Sequence, residues 1–119
     1  MMLNWNEYMK ELQARTAELA RTSPDIIRGY RTLSDAGQKT GKLDAKTREL
    51  IALAVAITLR CDGCITVHTD SARKLGASPE DIAEALGVAV SVNAGAAIVY
   101  STRVLDAYQS SSEAETKAA

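Results

Sequence analysis

Phenylalanine is absent, and one Trp and four Tyr are the only aromatic residues. A chain so poor in rings must build its core on Ala, Leu, Ile and Val. It also lacks a basic excess: 14 Lys+Arg against 15 Asp+Glu leave a formal charge of −1. Residues 1–60 carry +3 and residues 61–119 carry −4, too mild a split for a nucleic-acid footprint. No stretch alternates apolar and polar residues long enough to build a sheet; Ile65-Thr66-Val67 alone could pass for a strand. The expected fold is therefore all-α. No internal repeat is visible, and no low-complexity segment precedes the end of the chain. Met1-Met2-Leu3-Asn4-Trp5 lacks a charged region followed by an apolar one, so no signal peptide is expected.

What is abundant is alanine, 20 residues among 119. Alanine favours helix and permits close helix–helix approach. It also limits how much apolar area one subunit hides, so a partner surface is expected. Ala85–Thr102 is an 18-residue run with no charge. Its length suits a membrane span, but its Ala, Gly, Ser and Val content, with Asn93 in the middle, gains little in lipid. A core or interface helix is the expectation, and no membrane partner.

Start and stop signals place the helices. The first runs from Asn4 to Thr22, with Trp5, Tyr8, Leu12 and Leu19 on one stripe. Ser23-Pro24-Asp25 opens a second, to about Ala36, with Gly37 and Gly41 as breakers. Asp44 caps a third, Ala45 to about Leu59, whose apolar run 50–57 marks the buried central helix. Cys61-Asp62-Gly63-Cys64 interrupts it, and a fourth helix follows to Gly76, a C′ residue. Ser78-Pro79-Glu80-Asp81 repeats the start signal. Helix then continues to about Tyr108, with a break expected at Ser91–Gly95. Residues 1–109 are expected to form a single domain, and 110–119 a flexible, fraying tail.

The two cysteines and the sole histidine carry the chemistry. Cys61, Cys64 and His68 stand at i, i+3 and i+7, which stacks them on one helical face. The exposed N–H groups and positive dipole of a helix start stabilise a thiolate. His68, four residues after Cys64, can take its proton, and a second Cys can trap a sulfenic acid as a disulfide. Gly63 would let a ligand or partner approach the sulfurs closely. Glu49 heads ten uncharged residues and, if its helix packs on the Cys helix, could orient His68 or relay a proton. Without an export signal, the pair suggests a reducing cytoplasm and redox or metal chemistry rather than a structural staple.

Plainer readings stand beside this one. Both cysteines could be small buried apolar residues. Zinc could take Cys61, Cys64, His68 and Glu49, but three ligands on one helix do not readily surround a tetrahedral ion. His68 could be a core residue satisfied by one carbonyl, and Glu49 a solvated acid at a helix start. Tyr30 and Tyr100 are expected in the core, and Arg48 and Arg60 at the surface or an interface.

Glu49, eleven residues, Cys61-x-x-Cys64, three residues and His68 together resemble the AhpD-like alkylhydroperoxidase family, within the carboxymuconolactone decarboxylase superfamily. Ala72–Glu80 and Ile82–Ala85 are similar as well, and the likeness spans roughly Asp44–Tyr108. It implies an AhpD-like bundle of about five to seven helices, a homo-oligomer (trimer or hexamer), and thiol peroxidase or disulfide reductase activity. It implies Cys64 as the residue attacking peroxide, Cys61 as the resolving residue, and His68 with Glu49 as proton relay. A dithiol reductant is the implied partner; no cofactor or metal is expected. Better-studied members carry a further His just before the second cysteine; Gly63 stands there in this chain. Lactone-decarboxylating members generally lack the cysteine pair, so its presence favours redox chemistry. The alternatives are a decarboxylase-like enzyme, or a non-enzymatic oligomeric subunit whose thiols sense oxidants or merely pack.

Overall fold

The computed structural model describes residues 1–118, which form five α-helices and no strand: α1 (Trp5–Thr22), α2 (Pro24–Thr40), α3 (Ala45–Leu59), α4 (Asp62–Lys74) and α5 (Pro79–Ala118). The all-α expectation holds. Caps explain most of the boundaries. The Asn4 side chain accepts from the Glu7 N–H at 3.2 Å, and the Asp44 carboxylate from the Thr47 N–H at 2.7 Å. That Thr47 N–H bond holds the Asp44 carboxyl below the usual aspartate range. Ser78 and Asp81 form a reciprocal box at the start of α5, each backbone N–H donating to the other's side chain at 3.0 Å. α4 closes in a Schellman motif: Ala77 N–H donates to Ala72 O, Gly76 N–H to Arg73 O, and Gly76 takes φ 88°. Ser23 precedes Pro24 as expected but makes no side-chain cap bond; its N–H instead donates to Leu19 O and closes α1.

Three boundaries differ from expectation. α2 runs through Gly37 and stops only at Gly41, whose φ of 68° suits glycine. One interior glycine costs about 1 kcal/mol, too little to break a helix whose other bonds are intact. α5 is unbroken across 91–95. The Asn93 amide, which could have diverted the chain, donates to Ala89 O at 2.7 Å within α5 and to Thr58 Oγ1 at 2.9 Å on α3. Residues 110–118, expected to fray, continue α5 with every residue exposed.

α3 is the hub. It packs on α4 and α5, while α1 packs on both α4 and α2. The core is small. Leu53, Ala72 and Ala77 cluster, with Leu50, Ile82 and Leu86 packed around them. Lys46 reaches Asp81 at 2.8 Å and ties the first turn of α3 to that of α5. The Lys46 ammonium and the Ser78 N–H hold the Asp81 carboxyl below the usual range. A depressed carboxyl stabilises the fold above its unfolded-state pKa, and the gain is lost as pH falls through the folded value. Asp81→Asn should therefore flatten the acid limb of a stability-versus-pH curve, read by urea denaturation between neutral and strongly acid pH. An unchanged limb would remove Asp81 from the acid response.

Much apolar surface lies bare. Val92, Ile98, Val99, Val104 and Leu105 of α5 are each 65–72% exposed. Tyr30 and Tyr100, expected in the core, are also exposed. The radius of gyration is 20.8 Å, against about 13–14 Å for a compact chain of this length. By length and composition α5 could cross a membrane, and nearly all of its apolar window is exposed; the same composition suits a helix surrounded by other helices.

Candidate active site

The cysteine motif is set by how α3 ends. Arg60 adopts φ 54°, ψ 48°, in the left-handed region. Cys61 N–H donates to Ala56 O at 3.0 Å and Arg60 N–H to Ile57 O at 3.3 Å, a Schellman closure with arginine in the usual glycine place. Cys61 thereby ends one helix and caps the next. Its sulfur accepts the Cys64 N–H at 3.2 Å, at the positive end of α4. No signal in the sequence marks Arg60. Arg60→Gly should raise stability by up to about 1 kcal/mol, because a left-handed Cβ costs about 1–2 kcal/mol and glycine's looser unfolded chain returns part of that. The chemical-denaturation midpoint would read it, and a lower midpoint would mean that the Arg60 side chain holds something the backbone does not.

Cys61 and Cys64 are joined in a disulfide with Cα atoms 5.3 Å apart, both residues half-buried. His68 follows Cys64 by one helical turn on the same face. Across the α3–α4 contact, Glu49 Oε2 lies 2.6 Å from His68 Nδ1. With Nδ1–H donating to the carboxylate, Nε2 is left as the acceptor. The pair is partly buried, the side chains retaining 22% (Glu49) and 32% (His68) of their exposure. All four sequence-predicted residues thus lie on the α3–α4 pair: the sulfurs at the helix start, the imidazole one turn on, the carboxylate oriented onto it. Among the described residues, no group of three or more His, Cys, Asp or Glu is arranged to hold a metal ion.

The close approach expected at Gly63 is made from within the chain. Leu12 of α1 sits there, and an added Cβ would lie 3.1 Å from Leu12 Cδ2. The Leu12 side chain therefore lies over Gly63, and a side chain at this position would have to push it aside by a few tenths of an ångström. On the other flank, Glu49 and His68 line a cleft of about 550 Å3 between the end of α2 and α3. Arg48 spans it, donating from Nε to Leu43 O at 3.2 Å and from Nη2 to Gln38 O at 3.3 Å. Arg48, expected at the surface or an interface, fastens the α2–α3 connection and lines this cleft. No periodicity could have revealed this, because the partners are carbonyls.

Residues 24–107 match the carboxymuconolactone decarboxylase family. The chain is similar to an uncharacterized protein of Haemophilus influenzae, 45% identical over 108 residues, covering 91% of this chain and 96% of that one. It is 37% identical over 97 residues to uncharacterized protein 4 in the cox locus of Paracoccus denitrificans, covering 82% and 87%. Its fold is similar to the apo crystal structure of a carboxymuconolactone decarboxylase family protein from Legionella pneumophila, with TM-score 0.71, 34% identity, and 88% and 94% of the two chains covered. A protein from Methanobacterium thermoautotrophicum follows with TM-score 0.68 and 26% identity, covering 75% and 97%.

Proposed function

The chain belongs to the carboxymuconolactone decarboxylase family, and on that footing we propose that it is an AhpD-like thiol peroxidase and disulfide oxidoreductase of the cytoplasm. The observation that carries the reading is the Cys61–Cys64 disulfide at the start of α4, one turn from an imidazole hydrogen bonded to a carboxylate.

That geometry supports a peroxidase cycle. In the reduced protein, His68 Nε2 takes the Cys64 proton while Glu49 stabilises the imidazolium. The thiolate attacks the distal oxygen of a hydroperoxide; the O–O bond breaks, Cys64 becomes a sulfenic acid, and the leaving alkoxide takes a proton to depart as the alcohol. Cys61 attacks that sulfur, expelling water and forming the disulfide. An external dithiol then reduces it through a mixed disulfide, becoming oxidised itself. The steps call for no organic cofactor or metal. The bare apolar faces of α2 and α5 support a homo-oligomer, a trimer or hexamer, as the working form.

The test is the oxidation of a dithiol by a hydroperoxide in the presence of the purified protein. Consumption proportional to protein concentration is expected; none with any of several small dithiols would overturn the reading.

A further inference from the structure

The cleft beside Glu49 and His68 has a chemistry that the thiol cycle leaves unused. At about 550 Å3 it lies within the size range of small-molecule sites. Leu43, Ile51 and Ala52 give it apolar lining, and two cations, Lys42 and Arg48, line it too. Its lining includes one carboxylate, Glu49, which is engaged by His68. Lys42 has no carboxylate within ion-pair distance among the described residues. Arg48 places two N–H groups on the Gln38 and Leu43 carbonyls; a guanidinium carries five, so three remain. Neither carbonyl neutralises its charge. Two cations against the single Glu49 carboxylate leave the lining one positive charge in excess, and beside an aliphatic wall that favours an anion with an apolar body.

We propose that this cleft binds a carboxylate-terminated aliphatic chain, with the carboxylate on Lys42 and Arg48 and the chain along Leu43, Ile51 and Ala52. The substrate class at the neighbouring thiol is then a fatty-acid-type hydroperoxide. The substrate half of the statement rests on the peroxidase reading; the binding half stands on the cleft alone.

Calorimetric titration of the full chain with octanoate, and with 1-octanol as the uncharged control, tests it. Octanoate should bind at least about tenfold more tightly than octanol, and Lys42→Gln should weaken octanoate by about tenfold while leaving octanol unchanged. Lys42 is exposed and makes no ion pair among the described residues, and Lys10→Gln on α1 serves as the charge control, expected to bind as the wild type does. Equal binding of the two ligands, an unaltered Lys42→Gln protein, an equal loss in Lys10→Gln, or no octanoate binding would each overturn the proposal. A protein that binds octanoate through Lys42 yet turns over no hydroperoxide would end the peroxidase reading and leave the anion cleft standing. One that reduces uncharged hydroperoxides and ignores octanoate would do the reverse.

Discussion

Cys64→Ser is expected to lower dithiol-supported hydroperoxide consumption by about a thousandfold or more, the scale of losing a nucleophile that its replacement cannot imitate. A serine hydroxyl stays protonated at neutral pH, and its oxygen cannot form the sulfenic acid through which the cycle passes. The loss would be chemical rather than structural. Cys64 is half-buried, serine is close to it in size, and the backbone N–H that Cys61 caps is retained. Cys61→Ser should behave differently: one equivalent of peroxide is reduced, then turnover stalls with a sulfenic acid that a dimedone-type reagent traps on Cys64. The contrast decides between two physical effects. In the proposed cycle His68, one turn after Cys64, activates that thiol by taking its proton. The first-turn N–H of Cys64 and the dipole of α4 act instead on Cys61, whose sulfur accepts that N–H. If the trapped sulfenic acid appears on Cys61 in the Cys64→Ser protein, electrostatics at the helix start outweighs the base, and the two roles exchange.

The parts of this site that could be read in the sequence are those that local chemistry writes. Asp44, Ser78-Pro79 and Gly76 fix helix ends through bonds a few residues long, and each does so here. Glu49 stood out as an acid heading an uncharged run, and helical spacing put His68 on the sulfur face; one α3–α4 contact then joins them. What stayed hidden depends on other segments. Leu12 covers Gly63 across more than fifty residues, a contact no window reports. Gly37 and the 91–95 segment read as breaks because glycine and asparagine weaken helices locally. The Asn93 bonds to Ala89 and Thr58 turn one of those weak points into an α3–α5 pin. The left-handed Arg60 was invisible because arginine gives no turn signal, although the register of Cys61 depends on it.

Val99→Asp is the substitution expected to do most to the assembly. In the single chain Val99 is 70% exposed, so a charge there would meet water and change stability by no more than about 0.5 kcal/mol. In an oligomer that buries α5, the same carboxylate would enter an apolar contact without a partner, at a cost of several kcal/mol per copy. The bare surface argues for the second case. Val92, Ile98, Val99, Val104 and Leu105 point in different directions around one helix, so a single neighbouring helix could not cover them. Six buried residues among the 118 described are little to hold the fold together. Light scattering should therefore give the wild type as a multiple of 12.7 kDa, and Val99→Asp as a smaller species with a markedly lower unfolding midpoint. The thiol site lies on α3 and α4, so the variant should lose peroxide turnover only in step with its loss of assembly. A wild-type protein that stays a stable monomer, with Val99→Asp indistinguishable from it, would mean that this apolar helix is left in water by design and that the site works within one chain.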